Sequence, residues 1–217
     1  MDYILGILPP MLDGTVVTLQ MFFSTIILSL PLGLFLALGR ISRFKVLSGA
    51  VGVYIWLFRG TPLMLQLLFI YFGLPLLPYI GIRLPDFSAA LLAFVLNYAA
   101  YFAEIFRAGI QSIDRGQYEG ARVLGMSYVQ TMQRIILPQV IKRVLPPVSN
   151  ETITLVKDTS LIYVLAMNDL LRTTRAIVQR DFDTTAFIVA GVFYLLMTLV
   201  LTWMFQKLEQ RYAVYDE

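Results

Sequence analysis

Two long stretches of this sequence, residues 14–39 and 184–206, carry no charge at all. Each exceeds the ~20 apolar residues that an α-helix needs to cross a bilayer. In hydrocarbon every backbone N–H and C=O must find its partner inside the protein, so lipid-facing runs of this length fold as helices. Charged residues make up only 14% of the chain and hydrophobic ones 58%, with a mean hydropathy of +0.73. A soluble domain carries about 25% charged residues. The composition therefore points to an all-α, polytopic membrane protein with no room for a second, soluble catalytic domain.

The net charge of +3 and pI of about 9.2 would suggest nucleic acid in a soluble protein. Here Lys and Arg cluster at the ends of apolar runs, which is the mark of membrane topology, so no nucleic-acid partner is expected. The chain has no cysteine and no histidine. That excludes disulfides, thiolate metal sites, redox chemistry and imidazole catalysis. Asp2 and Asp13 near the start, with no basic n-region, do not read as a cleaved signal peptide. No G-x-x-x-x-G-K-[ST] phosphate loop and no paired-carboxylate or nucleophile–base arrangement is present, so the chain reads as a non-enzyme.

Taken in order, residues 1–13 form an amphiphilic lead-in broken by Pro9-Pro10. The first span, 14–39, carries a polar stripe of Thr15, Thr18, Gln20, Ser24, Thr25 and Ser29, suited to packing against other helices. The second, 46–72, is interrupted by Arg59-Gly60-Thr61-Pro62. Gly and Pro break the helix there, and such irregular backbone is tolerated only where it is buried or lines a cavity. Residues 73–86 read as an external loop. The third span is 87–108, followed by a basic loop, 109–144. Pro146-Pro147 open a fourth span, 146–168, since proline suits a first helical turn. A charged external connection, 169–183, leads to the fifth span, 184–206, and a short tail, 207–217. With the N-terminus outside, Arg40, Arg43, Lys45, Arg107, Arg115, Arg122, Arg134, Lys142, Arg143, Lys207 and Arg211 fall on the cytoplasmic side. Only Arg83, Arg172, Arg175 and Arg180 fall outside. This bias sets the orientation, with the C-terminus inside.

Within the basic loop, residues 117–138 are punctuated as two short helices. Residues 117–124 place Tyr118, Ala121 and Leu124 on one side. Gly125 can end that helix in a left-handed conformation. Ser127 and Gln130 fit a capping box that opens the next helix, which Pro138 kinks or stops.

The same residues carry a resemblance. Glu119-Gly120-Ala121, three residues, Gly125, nine residues and Ile135-Ile136-Leu137-Pro138 resemble the E-A-A-x3-G-x9-I-x-L-P pattern of ABC importer permeases. Gly120 in place of Ala is the departure, at about 1 kcal/mol of helix propensity. Phe58-Arg59-Gly60-Thr61-Pro62 is similar to the F-R-G-T-P segment of the polar amino-acid branch (the histidine, glutamine and arginine type). Residues 103–110 are similar to its A-E-I-x-R-G-G-I, with Ala108 for Gly, and residues 157–161 to its K-[DN]-T-S-L. The resemblance implies a type I importer permease with five transmembrane helices in a bacterial or archaeal cytoplasmic (inner) membrane. It implies polar amino acids, basic ones among the candidates, as substrate, and no cofactor on this chain, ATP and Mg being bound by partner ATPase subunits. A second permease subunit and an extracytoplasmic solute-binding protein complete the implied assembly. Glu119, Gly120, Ala121, Arg122, Gly125 and Met126 would form the ATPase-coupling helix, residues 119–126, in a cleft of the motor.

For the polar residues inside the spans, two readings stand. Arg59, Thr61, Asn97, Glu104, Glu151, Lys157, Asp158 and Ser160 either line a substrate path or serve structure. Lys157 and Asp158 point about 100° apart on a helix and need not pair with each other; Glu104, Arg59 and Glu151 are their alternative ionic partners. Asn97 bonds substrate or joins helices, and Arg59 binds an anion or packs as a gate. Tyr98 and Tyr101 read as packing or interface residues. The rival functions are an ion-coupled secondary transporter, which should show inverted repeats, and a non-transporting membrane scaffold.

Overall fold

The computed structural model describes residues 2–78 and 81–213; residues 79 and 80 of the expected outer loop and residues 214–217 of the tail lie outside the described set. All regular elements among the described residues are helical. They are α1 (Asp2–Arg40), α2 (Lys45–Gly60), α3 (Leu63–Leu68), α4 (Asp86–Gln111), α5 (Arg115–Val123), α6 (Tyr128–Thr131), α7 (Leu137–Asp158), α8 (Leu170–Asp181) and α9 (Thr185–Ala213). By length and composition three helical stretches could cross a membrane: Tyr3–Arg40, Asp86–Gln111 and Thr185–Tyr212. The bent pair Lys45–Gly60 and Leu63–Leu76 would make a fourth.

The core is α4, against which α1 packs most extensively and α2 and α7 pack from other sides. The stripe on α1 explains the closeness of that contact. Thr15, Thr18, Phe22, Thr25, Ser29, Gly33 and Ala37, spaced three or four apart, are all buried. Opposite them α4 buries Ala89, Ala93, Ala99, Ala100 and Ala103, all 0% exposed. Without water to expel, helices in lipid associate through such small residues, which let backbones approach. At Gly33 a Cβ would lie 2.7 Å from the Cβ of Phe102 and 3.1 Å from the carbonyl of Ala99.

Five sequence expectations are corrected. Pro9-Pro10 do not break the lead-in, which forms the first turns of α1. Ile7 and Met11 on either side of the pair are buried against Leu170, Ile177 and Ala186, and this packing holds the helix despite its missing donors. Pro146-Pro147 do not open a helix but lie inside α7. An unbroken helical run covers 128–158, its α6 and α7 segments joined by a π turn at Met132–Ile136. That wider turn stands just before Pro138 and relieves the clash between its ring and the preceding carbonyls, so Pro138 does not stop the helix. At its other end α7 gives way after Asp158 to a 3₁₀ segment, Thr159–Leu165, closed by Ala166 at φ 62°, short of the expected limit at Asn168. Finally, the connection 169–183 is mostly helix α8. Asp169, fully buried, caps it by accepting from the amides of Leu171 (3.2 Å) and Arg172 (3.0 Å).

The break between α2 and α3 bends the chain by 105°. Pro62 has no N–H, so the carbonyl of Phe58, four residues earlier, loses its helical partner. Two buried amides replace it. Gln66 Nε2 donates to the Phe58 carbonyl (2.8 Å) and to the carbonyl and hydroxyl of Thr61 (3.0 and 2.8 Å). Asn97 Nδ2, on α4, donates to the Phe58 carbonyl (3.1 Å) and to Gln66 Oε1 (3.0 Å). Tyr54 adds a bond from α2 to the carbonyl of Leu96 at 2.6 Å.

Two stability predictions follow from these contacts. Gly33→Leu overpacks the α1–α4 contact and should cost about 1–3 kcal/mol, visible as a lower midpoint in thermal unfolding of the detergent-solubilised protein. Gln66→Leu strands the Thr61 carbonyl, takes one of two donors from the Phe58 carbonyl and removes an acceptor from Asn97, at about 1–3 kcal/mol for each group left unsatisfied; Gln66→Glu, which keeps the acceptor but loses the donor, should fare no better in the same assay.

Candidate functional site

The polar residues of the spans converge on one side of α4. Two crevices share a wall made by Tyr101 and Glu151. The first has a volume of about 460 Å³ and is bounded by Arg59, Glu104, Ser112 and Arg143. The second, about 310 Å³, is bounded by Thr61, Pro62, Asn97, Tyr98, Thr154 and Asp158. Both volumes fall in the range of roughly 300–1,000 Å³ typical of small-molecule sites.

The geometry follows from local structure. Arg59, in the last turn of α2, and Thr61, in the 105° break itself, border the first and second crevice respectively. The Arg59 guanidinium lies over the Tyr101 ring, 5.2 Å from its centroid, a cation–π contact between the two crevices. Glu104 pairs with Arg107 one turn along its own helix, accepting from Nε at 3.0 Å, and Arg107 also reaches Gln111. Glu151 and Asp158 are two turns apart on α7, so they project on the same side. Tyr98, only 2% exposed, donates to Asp158 Oδ2 at 2.8 Å and so ties α4 to the end of α7.

The structure thus brings together Arg59, Thr61, Asn97, Glu104, Glu151 and Asp158. It leaves Lys157 and Ser160 outside both crevices, with Lys157 exposed. Asn97 is a helix-joining residue, bonded to Gln66 and Phe58. Sequence reasoning missed Gln66 and assigned Tyr98 to packing only. A single glutamine or tyrosine in an apolar run carries no spacing signal; only the carbonyl orphaned by Pro62 hints that some amide must come to meet it.

The basic loop shows the expected left-handed Gly125 and the Ser127–Gln130 capping box, but with other helix bounds and with no stop at Pro138. Asp114 caps α5 by accepting from the Gly116 amide at 2.7 Å. The α5 helix ends in a Schellman motif: the Gly125 amide bonds the Arg122 carbonyl (3.0 Å), and the Met126 amide bonds that of Ala121 (3.0 Å). Gly125 sits at φ +73°, where only glycine is unstrained. The helix is therefore Arg115–Val123 rather than 119–126, with Met126 part of its cap. Ser127 and Gln130 form the reciprocal capping box of α6. Ala121 anchors α5 inward at 2% exposed, whereas Glu119, Gly120 and Arg122 face outward. Val123 (87%), Leu124 (78%), Tyr128 (74%) and Val129 (59%) form an exposed apolar set around Gly125. Burial raises the Tyr118 phenol above its usual range, with Tyr128 adding to the shift, so it stays neutral and packs.

Comparison with known proteins places this geometry in a family. Residues 29–214 match the family described as binding-protein-dependent transport system inner membrane component. The arginine transport system permease protein ArtQ of Bacillus subtilis is 38% identical over 210 residues, covering 96% of this chain and 95% of its own. The glutamate/aspartate import permease protein GltK of Escherichia coli is 38% identical over 215 residues, covering 95% of each. A permease chain in the crystal structure of an amino acid ABC transporter with histidines superposes with a TM-score of 0.88 at 36% identity, covering 96% of this chain and 97% of that one. The chain belongs to the binding-protein-dependent transport system inner membrane components, the permease subunits of ABC importers.

Proposed function

We propose that this chain is the membrane-spanning subunit of an ATP-driven importer of polar amino acids, with basic ones favoured. Permeases of this family are transport subunits of the inner membrane and work with a separate ATPase and a solute-binding protein. In this reading five spans cross the membrane, α7 making the fourth of them despite its charged residues and α9 the fifth, with the N-terminus outside and the C-terminus in the cytoplasm. Two copies, or this chain and a similar one, flank the pathway, and two ATPase subunits bind ATP and Mg below them. Family membership disfavours the ion-coupled transporter and the scaffold.

The observation that carries the substrate reading is the pair of crevices. Glu151 is common to both, Asp158 and Glu104 add further carboxylates, and Arg59 supplies the opposite sign. A zwitterion finds both charges there, and the second crevice, where Glu151 and Asp158 meet no Lys or Arg among the described lining residues, favours a cationic side chain. Thr61 and Asn97 shape the wall, while Lys157 and Ser160, neighbours of Asp158 in sequence, lie outside both crevices. Exchange of Glu151→Gln and Asp158→Asn should weaken uptake of arginine at least about tenfold while sparing a neutral amino acid, measured by competition in proteoliposomes. Equal loss for both would remove the carboxylates from substrate selection.

The coupling reading rests on the exposed apolar set beside Gly125. Glu119, Gly120, Ala121, Arg122, Gly125 and Met126 lie on α5 or in its cap, where ATPase closure can push them and bias the spans between two states. Gly125→Val forces a β-branched residue into a left-handed conformation at about 1–2 kcal/mol or more and removes the close approach. The variant should insert normally yet lose ATP-driven uptake, and the ATPase should leave it during co-purification. Retained ATPase with normal uptake would refute the docking assignment.

A further inference from the structure

At the end of α7 remote from the docking segment, α8 turns one face inward and the other out. Leu170, Thr174 and Ile177 are buried where α8 packs on α1 and α9. The opposite face carries Arg175, Ala176 and Gln179, all exposed, with Arg172 half-buried at its start. Arg172, Arg175 and Gln179 are spaced three and four apart and so share one stripe. Phe182 follows at the C-terminal cap, where the helix ends.

Phe182 is out of place on two counts. Its side chain is 93% exposed, more than any other large hydrophobic residue among those described. Its backbone lies at φ 55°, in the left-handed region where a bulky residue is strained. The Phe182 amide bonds the Val178 carbonyl at 2.9 Å, so the turn asks only for a left-handed residue, which glycine would supply without strain. At that exposure the ring gains next to nothing from the chain around it. Exposed aromatic residues of this kind act as anchors of protein interfaces. Lipid is a poorer match, because Asp181 and Asp183 flank the ring and would enter the membrane with it. Those carboxylates are also engaged: Asp181 accepts from Arg180 and Tyr3, Asp183 from the Thr185 amide, and Asp169 caps α8. Arg172 and Arg175 have no ion pair among the described residues, so the stripe is left positive.

We propose that this face of α8 is the docking surface for the solute-binding protein: Phe182 enters an apolar socket on that protein, and Arg172 and Arg175 meet carboxylates around it. Transport in this family depends on a binding protein. The α8 helix follows the far end of the 128–158 run, opposite to the helix assigned to the motor. The assignment rests on the importer reading above, with α8 outside. Docking there also bears on the crevices. Leu170 donates its amide to the buried Thr18 hydroxyl of α1 at 3.3 Å, and a Cβ on Gly14 would lie 2.9 Å from the Asp169 carbonyl, so α8 is seated closely on α1. The 3₁₀ segment Thr159–Leu165 joins it to Asp158 in the wall of the second crevice.

The test uses the complete transporter, permease with its ATPase, in nanodiscs, titrated with the importer's own solute-binding protein loaded with its amino acid. ATP hydrolysis should rise with the binding protein and saturate. Phe182→Gly relieves the left-handed strain, so its melting temperature should hold or rise, yet its half-saturating concentration should increase at least about tenfold. A residue that only closes the helix would leave that concentration unchanged. Arg172→Gln/Arg175→Gln should raise it about tenfold at low ionic strength and far less at high salt. Phe182→Tyr keeps the ring and should behave as the wild type does. Unchanged half-saturation in Phe182→Gly overturns the proposal and leaves the importer reading intact, whereas a wild type that the binding protein does not stimulate sinks both. Since the chain has no cysteine, Phe182→Cys takes a single fluorophore. A spectral shift on adding the binding protein supports docking at this residue; quenching by spin-labelled lipid without it assigns the position to the membrane and overturns the proposal.

Discussion

The structure depends on how backbone groups that leave the helical ladder are satisfied away from water. The break at Pro62 leaves the Phe58 carbonyl without its usual donor, and an unpaired carbonyl in hydrocarbon costs several kcal/mol. Gln66 and Asn97 meet that demand from two different helices. Their bond to each other couples the bend to α4, so the angle at which the chain turns is set by side chains rather than by proline alone. Arg59 and Thr61 stand on either side of Gly60, at the bend, where they border the crevices. The same logic recurs where Asp169 caps α8 from a fully buried position, and where the π turn accommodates Pro138.

Around this frame, charge and packing are kept apart. The α1–α4 contact is built from alanines, a glycine and small hydroxyls, a surface with nothing to titrate. The ionisable residues occupy the opposite side of α4 and its meeting with α7. Tyr98 stands at the junction, buried among aromatic rings at one end and bonded to Asp158 at the other. The α1–α4 packing is therefore separable by mutation from the charged crevices, whereas Asn97 and Asp158 serve the crevices and helix cohesion at once.

What the sequence made legible was punctuation. Gly-Thr-Pro announces the break, Gly125 the left-handed cap, and Ser127 with Gln130 the capping box, because each is a local rule with a local outcome. The polar stripe of α1 announces its buried face for the same reason. Pro9-Pro10 and Pro146-Pro147 misled because proline's local penalty is overridden by packing that sequence periodicity does not show. The crevices were half legible: Arg59, Glu151 and Asp158 stand out as charges in apolar surroundings, but nothing local says that Lys157 faces away while Asp158 faces Tyr98. The 3₁₀ segment after Asp158 and the role of Gln66 are products of tertiary contact.

The unbroken run over 128–158 gives the molecule a mechanical property of its own. At 1.5 Å per residue it is a strut about 45 Å long, with the Ser127–Gln130 cap at one end and Asp158 at the other. A helical strut resists compression but rolls readily about its axis. Roll at the capped end is carried toward the carboxylates because no loop intervenes to absorb it. It meets the Gln139–Gln117 and Arg143–Ser112 bonds first and the Tyr98–Asp158 bond at the far tip last, and the π turn is a place along the strut where torque can be taken up by a shift in hydrogen-bond register.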